Sequence, residues 1–414
     1  MTVWTLFTLF TKRAIMAASA SAGLLAAGCT GLPAGAPQLD TARFAEIDHA
    51  IEAVIAERGM PGAVFHLERN GDAYEKAFGR QSYDAGASAT QAATLFDAAS
   101  LTKILATAPS VLLLAEAGKL DLEAPLVRYF PECGGGGKQG MTVRHLLTHS
   151  SGLPAGLPAL PAWEGQAAAL ALACSKAVTD VPGTAFRYSD INFILLGLLV
   201  QRVSGLPLDE FARRHIFGPL NMLDTGYLPL ARFAPGRIAP THVSPLQEGD
   251  KALHPGLEHG AVLQGVVHDP TARRMGGVAG SAGLFTTVGD LARYARMLLA
   301  DGELDCVRIL SSTSVRLLTT VQSPPGVTQL RGMGMDIDSP FARPRGALFP
   351  VGSYGHTGFT GCILWIDPGS RTFYAFLSNR VYPDDKSNIL PLYDRLGTLA
   401  AQSALGFRFA AARP

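Results

Sequence analysis

Ser100 and Lys103 form the first pair in the chain whose residue types and spacing suit covalent chemistry. Residues three apart on a helix share one face, so the lysine amine can reach the serine hydroxyl. A free serine is a poor nucleophile at neutral pH, and a neutral amine beside it can take its proton. Burial favours the neutral amine because it lowers the pKa of a lysine. We therefore expect Lys103 to activate Ser100 as a nucleophile, although a lone tetrad of this kind also fits a helix start with Ser100 as N-cap.

The segment Tyr188-Ser189-Asp190 supplies a second candidate, at the junction between a loop and an apolar helix. A tyrosine hydroxyl at such a junction can point into a cleft, and a nearby ammonium favours its phenolate form. Tyr188 is therefore a candidate base or proton shuttle. The structural alternative is a packed Tyr188 with Asp190 as the N-cap of the helix.

The third candidate is His356-Thr357-Gly358, on a strand predicted over 353–359. Gly358 permits close approach of a substrate backbone, and Thr357 can donate to an acyl or carboxylate oxygen. An oxyanion hole needs two N–H groups aimed at one point, and the backbone amides of Ser100 and Phe359 are the candidates. A strand end followed by a tight turn is the structural alternative.

These three motifs, in this order, resemble the serine β-lactamase and penicillin-binding protein superfamily. The resemblance is particularly to class C-like β-lactamases, family VIII esterases and D-amino-acid peptidases, whose pattern is S-x-x-K, Y-x-N, then K-T-G or H-x-G. Further family-like stretches are Leu95-Phe-Asp97, Arg144 to Leu153, Gly280 to Phe285 and Gly355 to Gly361. The resemblance covers roughly Phe44 to Leu405 and implies a Ser100 acyl-enzyme, with no cofactor and no metal.

The implied architecture is an α+β fold of the β-lactamase/transpeptidase type, in which helices flank an antiparallel sheet. Strand-like patterns at both ends of the chain agree with this, since they predict an α/β lobe from 41–99 and 306–414. Helical patterns between them predict an inserted all-α lobe over 100–305. The site would lie in the cleft between the two lobes.

Two departures from the family pattern bear on the substrate. Asp190 stands where the family often has Asn, and an ionised Asp cannot donate to a substrate carbonyl. His356 stands where β-lactamases usually have Lys, and a neutral imidazole attracts a substrate carboxylate less strongly. We therefore expect an esterase or a D-alanyl-D-alanine carboxypeptidase-like enzyme. The alternatives are a β-lactamase proper and a non-catalytic lipoprotein that binds penicillin or peptidoglycan.

The N-terminus is typical of an exported bacterial lipoprotein. Lys12 and Arg13 precede a short apolar run of small residues that ends at Cys29, a pattern typical of a signal peptide. We expect a signal peptide over 1–28, lipidation of Cys29, a tether over 29–40 and one hydrolase domain over 41–414. The protein would then be anchored by lipid to a membrane of the cell envelope and face the periplasm.

The balance of charged residues bears on which kinds of partner the protein binds. Lys plus Arg number 35 and Asp plus Glu number 34, so no excess of positive charge points to nucleic acid. The expected partner is a small-molecule or peptidoglycan-peptide substrate, and the sequence leaves the oligomeric state open.

Other residues with metal-ligating or reactive side chains receive plainer interpretations. His145 and His149 are four apart, but no third ligand accompanies them, so we expect no metal. His268 and Asp269 are candidates for a contact on the substrate side of the cleft. The cysteines other than Cys29 show no ligand spacing, and we expect mostly buried free thiols.

Overall fold

The computed structural model of the protein describes residues 38–243 and 260–409. The predicted signal peptide and Cys29 lie outside these residues. The strands are β1 Gly62–Arg69, β2 Asp72–Gly79, β3 Phe96–Asp97, β4 Gly226–Tyr227, β5 His242–Val243, β6 Val262–Leu263, β7 Leu284–Thr286, β8 Glu303–Leu304, β9 Val307–Arg308, β10 Leu330–Arg331, β11 Asp336–Asp338, β12 Tyr354–Gly358, β13 Cys362–Asp367 and β14 Thr372–Ser378. The α-helices are α1 Phe44–Ala56, α2 Ala108–Glu116, α3 Val143–Leu147, α4 Gly165–Ser175, α5 Asp190–Ser204, α6 Leu208–Ala212, α7 Pro270–Arg274, α8 Val288–Leu299, α9 Ser312–Thr319 and α10 Leu390–Gln402.

Shorter helical pieces join these elements. A π-helical turn, Lys103–Thr107, directly precedes α2. A second one, Arg213–Phe217, directly follows α6. The 3₁₀ turns are Thr41–Arg43, Leu126–Arg128, Pro131–Cys133, Pro229–Ala231, Pro235–Arg237 and Arg343–Arg345.

A seven-stranded sheet carries the fold, in the order β10-β11-β12-β13-β14-β1-β2. Each adjacent pair is antiparallel, and one ladder joins β1 to β14 from Ala63↔Ser378 to Arg69↔Thr372. Strands from the two ends of the chain therefore pair directly within one sheet. The predicted α+β fold class is confirmed.

The alternation of side chains along the strands builds two cores. Phe65 and Trp365 point to the face covered by α1 and α10, where Ile47 and Leu396 complete the packing. The neighbouring residue Val64 points to the other face and joins the larger core of the helical part. Strands such as β13 are buried along their whole length, which explains why their sequences are apolar without strict alternation.

Helix α5 is the central element of the helical part. Residues 191–200 are all buried, because α2, α3, α4 and α6 pack around this helix. Within the described ranges, no single helix is long and apolar enough to cross a bilayer. The bent pair of Asp190–Ser204 and Leu208–Phe217 meets that test only jointly, by length and composition.

The sequence pattern over 329–337 predicts one strand, but the structure has a short hairpin of β10 and β11 there. Two glycines cause the reversal: Gly334 has φ +102°, and an added Cβ on Gly332 would lie 1.8 Å from the carbonyl oxygen of Leu318. The chain must therefore turn where a continuous strand was expected.

The last residues of the predicted tether belong to the folded domain. Leu39 is buried and forms an isolated bridge with Ala404, and its N–H donates to the Asp72 carboxylate at 3.0 Å. The folded domain thus begins at or before residue 38, and the remainder of the tether lies outside the described residues.

The cysteines correct the expectation of mostly free thiols. Cys133 and Cys174 form a disulfide between the 3₁₀ turn at 131–133 and the end of α4. Their 41-residue separation in sequence gave no indication that α4 would return to this turn. Cys362 is a buried free thiol, and burial raises its pKa to about 12.

Candidate active site

The turn that carries Ser100 is held in an unusual backbone conformation. Ala99 has φ +45°, which is unfavourable for a residue with a Cβ and typically occurs at functional turns. Ser100 is half-buried and lines a cleft, while Lys103 opens the π-helical turn at 103–107 and is fully buried. A proline within a helical pattern predicts a kink or a break at Pro109. In the structure Pro109 lies at the second position of α2, where its missing N–H costs little.

The ammonium of Lys103 has three acceptors within reach. Its Nζ lies 3.0 Å from the Ser100 Oγ, 2.7 Å from the Asp190 Oδ1 and 2.9 Å from the Ser281 carbonyl oxygen. The predicted contact between Lys103 and Ser100 is therefore present in the structure. All three N–H groups of a protonated Lys103 are directed at an acceptor.

The expectation that burial leaves Lys103 with a lowered pKa is wrong. Burial acts in that direction, but the charge of Asp190 and the hydroxyl of Tyr188 outweigh it and raise the pKa above its ordinary value. The physical reason is the residue that departs from the family pattern, since an Asn at position 190 would bring no negative charge. Lys103 is an ammonium at neutral pH.

Tyr188 lies over Lys103 within a group of aromatic rings. The Lys103 Nζ is 5.1 Å from the centroid of the Tyr188 ring. The ring stacks on His149 at 4.4 Å and contacts Phe341 at 5.0 Å between centroids. The tyrosine predicted as a proton shuttle is thus placed beside Lys103, and packing on two sides restricts its ring.

The motif from Arg144 to Leu153 positions the Tyr188 segment. The Nδ1 of His149 accepts from the Ser189 N–H and from the Asn192 side chain, both at 3.2 Å. The His149 carbonyl accepts from the Arg187 N–H at 2.8 Å. Burial lowers the pKa of His149 well below its usual value, so the ring is neutral and carries its proton on Nε2.

Asp190 is the first residue of α5 and not its N-cap, which is Ser189. Its carboxylate lines the cleft and points to Lys103. The proposed alternative, in which Asp190 merely caps the helix, is therefore not what the structure shows.

His356 lies on β12 and faces the interior. Its Nδ1–H donates to the Thr357 carbonyl at 2.7 Å. Burial, Arg331 and Lys103 lower the pKa of His356 well below its usual value, so the imidazole is neutral as expected. Thr357 and Gly358, by contrast, line the cleft.

Gly358 brings β12 against the nucleophile turn. An added Cβ would lie 2.6 Å from the carbonyl oxygen of Ala98, so only glycine allows this approach. Neither the Ser100 N–H nor the Phe359 N–H donates to another backbone group among residues 38–243 and 260–409. Both amides remain candidates for the oxyanion hole.

The cleft has a volume of about 640 Å³ and is lined mostly by apolar surface. Phe341, Phe359 and Leu390 are 42%, 53% and 44% exposed, although large apolar side chains are usually buried. Sequence reasoning assigned no role to Phe341 or Leu390, nor to Arg380, which also lines the cleft. No local signal marks these residues, because separate loops bring them together.

Of the remaining candidate residues, His145 stabilises a helix end, and His268 and Asp269 line the cleft. His145 completes a capping box with Thr142 at the start of α3. His268 stacks on Phe359 at 5.6 Å between centroids, and both His268 and Asp269 line the cleft as proposed. Within the described part of the chain, no group of three or more His, Cys, Asp or Glu side chains has the arrangement of a metal site.

The motif from Gly280 to Phe285 supports Lys103 through its backbone. Gly280 packs against α5, where an added Cβ would lie 2.0 Å from the Phe193 carbonyl oxygen. The next residue, Ser281, thereby presents its carbonyl to Lys103. The sequence shows the motif, but nothing in it indicates that the Ser281 carbonyl accepts from Lys103.

Comparison with known proteins agrees with this arrangement. The chain is 31% identical over 339 residues to a "Putative D-alanyl-D-alanine carboxypeptidase" of Escherichia coli K12, covering 76% of this chain and 77% of the relative. It is 30% identical over 380 residues to an "N-acetylmuramyl-L-alanine amidase" of Bacillus subtilis, covering 85% of each. The solved structure of EstCE1, described as a hydrolase with promiscuous acyltransferase activity, shares the fold with a TM-score of 0.66 and 20% identity, over 87% of this chain and 98% of its own.

The family model for Beta-lactamase matches residues 47–398. That range includes the nucleophile turn, the Tyr188 segment and β12. The agreement of the family match, the relatives and the arrangement around Ser100 shows that this chain belongs to the β-lactamase family of serine hydrolases.

Proposed function

We propose that this protein is an exported serine hydrolase that cleaves an amide bond in D-alanine-containing peptidoglycan peptides through a Ser100 acyl-enzyme. The observation that carries the proposal is the 3.0 Å contact between the Lys103 Nζ and the Ser100 Oγ at the base of an open cleft. A similar relative is named as a D-alanyl-D-alanine carboxypeptidase, which supports this choice of substrate.

In this mechanism Tyr188 acts as a phenolate, which accepts the proton of Ser100 and becomes a neutral hydroxyl. The Lys103 ammonium donates to the Ser100 Oγ and to Asp190, so it has no lone pair with which to take that proton. Its positive charge stabilises the phenolate that Tyr188 forms. Lys103 thus acts by electrostatics and position, and Tyr188 acts as the general base.

The acyl-enzyme then forms and breaks down at the same groups. The carbonyl oxygen of the substrate becomes negative as Ser100 attacks, and the N–H groups of Ser100 and Phe359 stabilise it. Tyr188 returns its proton to the leaving amine and next removes a proton from the attacking water. Hydrolysis of the acyl group regenerates the Ser100 hydroxyl.

An esterase is the second candidate, and the lining of the cleft favours it. Phe341, Phe359 and Leu390 form an exposed apolar wall, which suits an apolar acyl or alcohol group. A buried neutral His356, where β-lactamases usually have Lys, weakens recognition of a carboxylate.

Export to the cell envelope is the second part of the proposal. The Cys133–Cys174 disulfide supports it, since disulfides persist mainly in oxidising compartments. The short apolar run before Cys29 supports a lipid anchor. In a bacterial host we expect the N-terminal segment to be cleaved before Cys29, and globomycin, an inhibitor of lipoprotein signal peptidase, should block this cleavage. The Cys29→Ala variant should not be cleaved in this way. A full-length chain without lipid would contradict the anchor.

Covalent labelling tests the nucleophile. A fluorophosphonate probe should add its mass to the wild-type protein at Ser100, and the Ser100→Ala variant should remain unlabelled. If the wild-type protein takes up no label from this probe or from a fluorescent penicillin, the protein is a binder and not a hydrolase.

Turnover of three substrate types separates the candidate activities. Release of D-alanine from a peptide that ends in D-Ala-D-Ala supports the proposed peptidase, and faster turnover of p-nitrophenyl butyrate supports the esterase. Turnover of nitrocefin faster than of either would contradict the interpretation of His356.

A further inference from the structure

Asp97 lies directly before the nucleophile turn and contacts three separate segments of the site. It is almost completely buried at the end of β3. Its Oδ1 accepts from the Ala99 N–H at 2.8 Å, and its Oδ2 accepts from the His268 N–H at 2.7 Å. Its own carbonyl oxygen accepts from the Thr360 hydroxyl at 2.6 Å.

Each of these bonds fixes a different part of the cleft. The bond to Ala99 closes a turn of the type in which an aspartate side chain holds the residue two positions later, and Ala99 is the residue with φ +45°. The bond to His268 ties in the loop that carries His268 and Asp269. The bond from Thr360 ties in the turn that carries Phe359.

We infer that the ionised Asp97 carboxylate is a positioning residue for the proposed acyl transfer, which holds the Ser100 turn and the 268–269 loop in the reactive arrangement. Only the ionised form can accept at both oxygens without carrying a proton of its own. A protonated oxygen becomes a donor and meets an N–H donor, so one of the two bonds weakens. This inference depends on the proposed function, because it concerns the alignment of Ser100.

The burial of Asp97 and the charged groups around it determine the pH at which its carboxylate takes up a proton. Burial raises the pKa of Asp97 to about 6, against the two N–H bonds that lower it. Asp269 raises it further and Arg273 lowers it. On the other sides, burial keeps the Cys362 thiol neutral, with a pKa of about 12, and His268 neutral, with a pKa of about 3.

The test is the rate of fluorophosphonate labelling of Ser100 between pH 5 and 8. In addition to the steady decline with falling pH that the catalytic base imposes on every variant, the wild-type rate should fall about tenfold or more as the pH drops through 6, since small displacements of a reacting group have effects of this size. Asp97→Asn should label about tenfold more slowly at pH 8, because its amide cannot accept from both N–H groups, and should lose the fall near pH 6.

Asp290→Asn is the matched control. Burial also raises the pKa of Asp290 to about 6, but its carboxylate accepts from Asp224 and Thr225, outside the cleft. This variant should keep the wild-type profile. Asp269→Asn should move the fall to lower pH without abolishing it, because it removes the neighbouring charge.

The outcomes separate the two proposals. Absence of wild-type labelling at any pH overturns the proposed function itself. Wild-type labelling that shows only the steady decline between pH 7 and 5 overturns the role of Asp97 alone. An additional fall that persists in Asp97→Asn, or that disappears in Asp290→Asn or Asp269→Asn, does the same. If Asp97→Asn does not fold, Asp97→Glu, which retains a carboxylate, should keep a fall at a shifted pH, and a flat profile would count against the role.

Discussion

The Lys103 Nζ lies 2.7 Å from the Asp190 Oδ1, closer than its 3.0 Å distance from the Ser100 Oγ. The lysine of the S-x-x-K motif is therefore ion-paired with the residue that departs from the family pattern. The ion pair keeps the pKa of Lys103 above its ordinary value, and it neutralises part of the positive charge that would stabilise a phenolate at Tyr188 in the proposed mechanism. Asp190 thus limits the supply of the basic form that acyl transfer needs.

Replacing Asp190 by Asn should increase the reactivity of Ser100 at neutral pH. The change removes one negative charge next to Lys103, so the ammonium is less neutralised and stabilises a phenolate at Tyr188 more strongly. The alkaline limb of the labelling rate should therefore move to lower pH. The rate of fluorophosphonate labelling between pH 6 and 10 measures this shift. An alkaline limb at the wild-type position would show that Asp190 does not control the proton.

Replacing Tyr188 by Phe should reduce acylation without affecting the fold. The phenyl ring keeps its contacts with His149 and Phe341, while loss of the hydroxyl removes the general base, an effect of about 10²- to 10⁴-fold. Tyr83→Phe is the control, since its hydroxyl donates to the Arg58 carbonyl away from the cleft. Equal kinetics of Tyr188→Phe and the wild type would assign the base to another group.

Replacing His356 by Lys should destabilise the protein and not create a β-lactamase. The new ammonium would be buried near Arg331 and Lys103, the two cations that already lower the pKa of His356. An unpaired buried charge costs about 3 kcal/mol or more. Thermal unfolding and nitrocefin turnover check this, with the exposed His215→Lys as the control. A stable variant with raised nitrocefin turnover would contradict it.

Replacing Gly358 by Ala should separate β12 from the nucleophile turn. The added methyl group would lie 2.6 Å from the Ala98 carbonyl oxygen and 3.1 Å from the Cys362 Cβ, so the strand must shift. Labelling of Ser100 should fall at least about tenfold. Gly289→Ala is the control, because its nearest neighbour is 4.0 Å away and alanine favours the helix α8. Unchanged labelling of Gly358→Ala would exclude a close contact between strand and turn.

Replacing Asp290 by Asn should change the pH dependence of stability. The pKa of Asp290 is raised to about 6 in the folded protein, above the value of about 4 in an unfolded chain. Protonation of Asp290 therefore stabilises the folded protein fully below pH 4, and this stabilisation is lost as the pH rises through 6. The free energy of unfolding should fall by about 3 kcal/mol over this range. Urea unfolding at pH 4 and pH 7 measures this change. Between these pH values the free energy of unfolding of the wild type should fall by this amount relative to that of Asp290→Asn. A pH-independent difference between the two proteins would contradict the shift.

Local sequence was sufficient for the elements whose signals lie within a few residues. The dipeptide Asn70-Gly71 predicts a hairpin turn, and it lies between β1 and β2 with positive φ at both residues. The helical pattern over 288–299 predicts a helix with the bounds that α8 has in the structure. Ser100 and Lys103 meet because their spacing matches one helical turn. Periodicity and turn chemistry depend on short-range geometry, so they can be read without knowledge of the fold.

The sequence by itself determined the family, the α+β fold and the identity of the residues around Ser100. Only the tertiary structure decided the charge of Lys103, because Asp190 is 87 residues away and the balance between burial and ion pairing depends on their distance. The same holds for Asp97, which accepts from a residue 171 positions away, and for the Cys133–Cys174 disulfide. Electrostatic and hydrogen-bond energies change steeply over a few ångströms, and packing across the chain sets those distances.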